Sequence, residues 1–538
     1  MKTTAAVLLA LSLLVTSVGA QEEVTRLVID QDLNSYSARY DLSTPLGSFI
    51  TFKQLQADGR RGRYGAVNSY RIRGAFPSAG APDAVITEDR RSKILDSHIT
   101  EVLVYKDSVA AVLSPFSVAP MYVIYYYSLE DGVWLGAGED LGTDLEDARR
   151  VFRDKAPGFS RIIPKIAQLK AEPRGEGELV AYLRNTGQPP QEFLLDAVAS
   201  HRIVVYGELH RRQSSWDLWE RVVSDPRFAQ RVGTVFLELS ADRQVDMDKF
   251  FSGRDPDGER ILEIFRSVQL NGWYDRGMYE FLMALWDRNH ALPERERIRV
   301  ILVDEPRPFN SFRTAEDLEA HFDSIPDRNV QMARIVAETV QHDTSNRNSV
   351  FIVGAAHAFK SAVPGIAVGN RRSQSSPSAA AQLVTIFSDA DVFTIFPHMP
   401  ILSNNGTVHG RPRHGAFDRA FAQLGNRPIA FDLRKSPLAD EPFDGIYEIT
   451  YAEQVGSYGE NYDAYLFLGP LEDEAEEYFL YDVLTDSFVV ELKRRAAISK
   501  GSLEAWFGVD TETREAIIDH YIQRLEGKKR WPMLSRQK

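Results

Sequence analysis

Between residues 202 and 396, five short apolar runs alternate with segments of a different period. The runs are Arg202 to Tyr206 (RIVVY), Thr234 to Leu239 (TVFLEL), Ile298 to Val303 (IRVILV), Ser349 to Val353 (SVFIV) and Val392 to Phe396 (VFTIF). Each is rich in β-branched and aromatic residues and is too short to make a core helix. Between them Trp216, Trp219, Val222 and Val223, or Met332, Ile335, Val336 and Val340, recur at helical spacing. This alternation predicts an α/β fold, a mainly parallel sheet with helices on both faces. Tyr465 to Leu468 (YLFL) adds a further strand.

The rest of the 538-residue chain reads differently. Residues 21–171 form an N-terminal β-rich (α+β) region, with strands expected at His98 to Tyr105 and Met121 to Leu129. The turn Glu130-Asp131-Gly132 follows, and then one helical stretch from Leu145 to Phe152. The tyrosines Tyr122, Tyr125, Tyr126 and Tyr127 read as core and sheet surface more readily than as a ligand groove. Residues 172–190 carry Pro173, Gly175, Gly177, Gly187, Pro189 and Pro190 and read as a linker. The α/β domain then runs over 191–470. A mostly helical extension occupies 471–538, clearest at Arg514 to Leu525, and the closing Gly-Lys-Lys-Arg-Trp-Pro stretch reads as a frayed tail.

Lys2, the apolar run Ala5 to Val15 and the small residues Val18-Gly19-Ala20 before Gln21 have the layout of a signal peptide over residues 1–20. The expectation is export to the periplasm or beyond. No later segment has the ~20 uninterrupted apolar residues of a spanning helix, so no integral membrane segment is expected after cleavage. Cysteine is absent, which excludes disulfides, thiolate metal sites and cysteine nucleophiles. A formal charge of −13 argues against nucleic acid as a partner.

Ligand sites of open parallel sheets lie outside the carboxyl ends of the strands. There the sequence places Gly207-Glu208-Leu209-His210 after the first run and Glu238 near the end of the second. Asp304-Glu305 follows the third, Gly354-Ala355-Ala356-His357 the fourth, and Pro397-His398 the last. In extended geometry Glu208 and His210 point to the same side. Glu238, between Leu237 and Leu239, needs a partner, which His210 or a bound cation would supply. Each residue has an ordinary alternative: a strand-end histidine commonly caps or hydrogen-bonds, Asp304 would cap the next segment, and His398 would be a loop residue. Taken together, Glu208, His210, Glu238 and His357 are the candidate catalytic set, with Asp304 a weaker candidate. Their tips are expected within ~10 Å of a common point, two or three strand spacings. His290, His321 and His342 carry no strand-end logic and are expected elsewhere.

The chain has no HExxH, no GxSxG elbow and no Walker A loop, and Gly136-Ala137-Gly138 lacks the third glycine of a dinucleotide loop. The two GxxH elements, GELH at 207–210 and GAAH at 354–357, with the glutamate of FLELS between them, resemble the erythromycin esterase, ChaN-like and Tiki/TraB group. The closest local pattern is ChaN-like, through Gln244 and Asp248 of ADRQVDMDKFF. The resemblance covers residues 191–470 and departs from the group's usual pattern at Arg211-Arg212. It implies three activities. Esterase-like members are hydrolases with a histidine general base. Tiki-like members are metal-dependent proteases, which would make His210, Glu238, His357 and Asp304 ligands of Mn, Co, Zn or Fe. ChaN-like members bind haem. The leading expectation is therefore an exported hydrolase of an ester, lactone or peptide bond acting on a small-molecule or peptide substrate. The alternative is a haem-binding protein without catalytic activity.

Overall fold

The structure, a computed structural model, describes residues 23–37, 40–69, 83–116, 120–361, 377–402, 408–446, 455–476, 479–509 and 513–536; the expected signal peptide lies outside them. The chain divides into two compact units, 1–163 and 164–538.

In the first unit, β1 (Val24–Asp32), β2 (His98–Tyr105), β3 (Val109–Pro115), β4 (Tyr122–Glu130) and β5 (Val133–Gly142) make an antiparallel sheet in chain order. Strand alternation sends Leu103, Leu113, Ile124 and Tyr126 to one face, where Phe152 covers them, and Val102, Val112, Tyr127 and Trp134 to the other, against Phe49. Tyr126 stacks on Phe152 and Phe159 with ring centroids 6.1 and 4.8 Å apart, so this part of the tyrosine stripe is core. The helix expected at 145–152 runs from Leu145 to Lys170, past Pro157, Gly158 and Pro164, the residues at which local propensity would end it.

The second unit holds a seven-stranded sheet. Its strands are β6 (Ile203–Glu208), β7 (Val232–Ser240), β8 (Arg299–Asp304), β9 (Asn348–Gly354), β10 (Val392–Pro397), β13 (Ile429–Asp432) and β14 (Ala464–Phe467). A separate two-stranded piece comprises β11 (Ile401–Leu402) and β12 (Val408–Gly410). The seven-stranded order is β13-β14-β10-β6-β9-β7-β8, parallel throughout except for β13, which pairs antiparallel with β14. Both faces are covered. Val204, Tyr206, Val235, Leu237 and Ile352 meet Trp216, Trp219 and Leu285 on one side; Val205, Phe236, Phe351 and Val353 meet Met332, Val336 and Leu383 on the other.

Three boundaries differ from expectation. Residues 172–190 are not a bare linker: helices Glu176–Thr186 and Pro190–Ser200 start there. Gly175, at φ 83°, precedes the first, and Pro190 opens the second, so the glycines and prolines punctuate helix ends. The region beyond 470 belongs to the second unit. Val489, Leu492, Phe507 and Tyr521 share one buried cluster with Trp216 and Leu237. Segment 528–534 is anchored too, with Trp531 and Leu534 buried against Leu471. The edge strand β8 is covered by Gln244, whose side chain donates to Val300 O at 2.9 Å and accepts from Leu302 N at 2.7 Å. Gln244 also bonds Asp248 at 2.8 Å, which gives the Gln244/Asp248 pattern a structural task.

Candidate active site

The order β6-β9-β7-β8 sets four strand ends side by side. Glu208 pairs in register with Gly354, and Glu238 lies on the next strand. His210 follows β6, His357 closes the one-turn 3-10 helix after β9, and Asp304 ends β8.

The four candidates form one connected cluster. His210 Nδ1–H donates to Glu208 Oε1 at 2.8 Å. Glu238 Oε2 accepts from the backbone N–H of Gly354 at 2.6 Å, and its other oxygen lies 3.7 Å from His357 Nε2. A Cβ built on Gly354 would stand 3.0 Å from His210 Cε1, 3.1 Å from His210 Nε2 and 3.2 Å from Glu238 Oε2. Glycine at 354 is thus the condition for His210 and Glu238 to approach each other over that strand end. His357 Nδ1–H donates to Asn329 Oδ1 at 2.6 Å, which leaves Nε2 to face Arg328 Nη1 at 3.5 Å.

Arg328, the residue that sequence reasoning did not find, stands at the centre. It opens helix Arg328–His342 and bonds Asp304 through Nε at 2.5 Å and Nη2 at 2.8 Å. The same Nη2 donates to Glu238. Asp304 is fully buried and also pairs with Arg307 at 2.9 Å. The need of Glu238 for a partner was legible; that a helix start 90 residues away meets it was not, because one arginine among 63 basic residues carries no local mark.

The two histidines are tuned apart. Burial alone would lower His210, but the negative charges of Glu238 and Glu208 outweigh it, and its pKa is raised above the ordinary value. Burial pushes His357 down to about 4, and Arg328 adds to the effect, so this ring is neutral. The charge of Arg328, with that of His210 when protonated, holds Glu238 below the usual carboxylate range despite its burial. Arg307 and Arg328 do the same for Asp304. Near Glu208, the buried carboxyl of Asp275 is pushed up to about 7 by desolvation and by the charge of Glu208. It accepts hydrogen bonds from Trp216 Nε1 and Met278 N.

A cavity of about 420 Å³ opens on this cluster. His210, Glu238, Asp304, Glu305, Arg307 and Arg328 line it, with Trp273, Phe309, Phe322 and Trp506 among the apolar walls. The His210 side chain is 40% exposed, and its ring meets Trp273 edge-on at 5.1 Å. His357 and Glu208 stand behind the wall. His398 is fully buried between Tyr465 and Asp418, away from the cavity. His290, His321 and His342 are tied to backbone carbonyls of Trp286, Pro306 and Glu338.

The expected metal set does not fit. The Arg328 guanidinium already bridges Glu238 and Asp304, and among the described residues no group of three or more histidine, aspartate and glutamate side chains is arranged to hold an ion. Toward haem the cavity is mixed: Trp273 packs on the His210 ring, while Glu238, Asp304, Glu305, Arg307 and Arg328 bring charge to the same lining. What the cluster can do is move a proton at His210 and stabilise negative charge beside Arg328.

No family model and no curated protein matches the sequence. Solved structures similar to part of it include a Bacillus cereus protein, 13% identical over 55% of this chain and 97% of that one, with a TM-score of 0.35. A succinoglycan biosynthesis protein is 12% identical over 54% and 96%, with a TM-score of 0.34. An erythromycin esterase mutant in its open conformation is 11% identical over 55% and 96%, with a TM-score of 0.34. At such scores the likeness is loose, and the chemistry proposed below comes from the residues of this chain.

Proposed function

We propose that the protein is a hydrolase in which His210 is the general base. The observation that carries this reading is the Glu208–His210 hydrogen bond of 2.8 Å, with the ring opening on a cavity that Glu238 and Arg328 also line. Glu208 fixes the tautomer so that Nδ1 carries the proton, leaving Nε2 free to take one from water. Water deprotonated there attacks a carbonyl carbon, and Arg328 supplies positive charge for the oxyanion that forms. The oxyanion then collapses with cleavage of the C–O or C–N bond, and the proton held on His210 Nε2 passes to the leaving oxygen or nitrogen. Glu238 and Asp304 hold Arg328 in place, and neutral His357 packs behind it. The substrate class is an ester, lactone or peptide of a size that about 420 Å³ admits.

The GELH, FLELS and GAAH elements resemble the erythromycin esterase, ChaN-like and Tiki/TraB group, and its hydrolytic branches support this reading. Lys2, the Ala5 to Val15 run and Val18-Gly19-Ala20 support export, which intact-mass measurement on protein recovered from outside the cytoplasm checks. The direct test is to screen the purified protein on esters, lactones and peptides beside His210→Ala. Loss of at least about 10²-fold in kcat/KM is expected in the variant. Equal rates for both proteins on every substrate would sink the proposal.

A further inference from the structure

The loop that carries His210 is gripped by a segment more than 300 residues away in sequence. Arg530 donates from Nη2 to His210 O and from Nη1 to Arg211 O, both at 3.1 Å. Arg211 sits at φ 59°, a left-handed conformation that non-glycine residues adopt uncommonly. Leu209, between Glu208 and His210, points away from the cavity and packs against Trp531, Leu534 and Leu471. The Arg530 guanidinium lies 5.2 Å from the Trp531 ring centroid.

The segment is itself locked in place. Arg530 N donates to Glu474 O at 2.9 Å, Glu476 N donates to Lys528 O at 2.9 Å, and Ala475 bridges to Lys529. The Glu474 carboxylate in turn accepts from Arg212 Nε and Nη2 at 2.9 and 2.8 Å and from Ser214 at 2.8 Å. Residues 209–214 are thus held on their backbone and apolar side by segment 528–534, and on their buried charge by Glu474, whose own carbonyl accepts from Arg530 N.

We propose that Arg530 is a positioning residue for His210: its fork fixes the carbonyls of His210 and Arg211, and Trp531 seats Leu209, so that the ring is presented to Glu208 and the cavity in one orientation. Nothing in the hydrolytic chemistry requires a residue from this segment, and the two bonds from Arg530 to the His210 loop both go to main-chain carbonyls. The proposal rests on the reading of His210 as the base.

Two measurements test it, one independent of turnover. In the full chain, the ring Cε1–H signal of His210, assigned with His210→Ala, is followed by NMR against pH in the wild type, Arg530→Ala and Arg530→Lys. In Arg530→Ala the titration is expected to move toward that of an unpaired histidine as the Glu208 contact loosens, while the His357 signal stays where it was. Lysine reaches one carbonyl but cannot span two, so Arg530→Lys falls between. With a substrate in hand, kcat is expected to fall at least about tenfold with KM little changed, the mark of misplaced chemistry rather than lost binding. If Arg530→Ala does not fold, Arg530→Lys is read alone against the same expectations. An unchanged His210 titration in a folded variant overturns the proposal. If no substrate is ever turned over, the hydrolase reading falls while the NMR titration still decides the positioning role.

Discussion

His210 and His357 begin with the same intrinsic pKa of ~6.5 and are driven in opposite directions by what surrounds them. For His210 the sign runs through its partners. Glu208 and Glu238 favour the imidazolium, so the neutral form needed for base catalysis appears only above the ordinary histidine range. The acid limb of kcat/KM is therefore expected above pH ~6.5. Glu208→Gln removes one of the two raising charges and should shift that limb toward lower pH; a limb that does not move would show that the pair does not form in solution. His357 gives the reverse case. Its folded pKa of about 4 lies below the unfolded value, so between those two pH values the unfolded chain binds the extra proton. Stability is full above pH ~6.5 and is lost as pH falls toward 4, by on the order of 3 kcal/mol for this one group. Denaturant melts at several pH values should show a shallower decline in His357→Gln than in the wild type. These two histidines, Glu208, Glu238 and Asp304 were legible because strand-end chemistry is local to the sequence. Arg328 was not, since the charges it answers, Glu238 and Asp304, come from β7 and β8, far from it in sequence.

At the level of elements, the runs that became β6 to β10 announced themselves because parallel strands buried on both faces need continuous apolar stretches. β13 did not, because it has four residues and takes its partner at the sheet edge from β14, which is distant in sequence. Residues 172–190 misread for a different reason: Gly175 and Pro190 are helix-start signals that composition alone cannot separate from a flexible stretch. The most informative element junction is the end of β9. Gly354 has φ −52°, which any residue adopts, so glycine is required there by space alone. In Gly354→Ala the new methyl would press on His210 and Glu238, which must each give by a few tenths of an ångström. Overpacking of this kind costs ~1–3 kcal/mol, and a displacement at the base can cost far more in rate than in stability. The expectation is a folded protein with a modest drop in melting temperature and a fall in kcat of about tenfold or more. Wild-type turnover in Gly354→Ala would show that His210 does not work from this strand end.

For the whole molecule, the distribution of core residues decides what depends on what. Every residue of the two clusters flanking the seven-stranded sheet falls within the second unit, as do all candidate site residues, the cavity lining and the 528–534 strap. The first unit likewise closes both faces of its own sheet with its own residues. Two units that each bury their own apolar faces meet the physical condition for folding separately, and the division falls inside helix Leu145–Lys170. A shortened chain must keep the end of that helix, because Arg413 donates to the carbonyls of Leu169 and Ala171 at 3.3 and 3.0 Å and His414 bonds Leu169 O at 2.8 Å. A protein comprising residues 164–538 is expected to fold in one cooperative transition and to keep most of the turnover of the longer chain, as calorimetry and kinetics on the same preparation would measure. The longer chain should then show a second transition that belongs to residues 23–163. If 164–538 folds with its melting temperature intact but loses turnover, the first unit takes part in catalysis or in capturing substrate, and a site drawn from the second unit alone is incomplete.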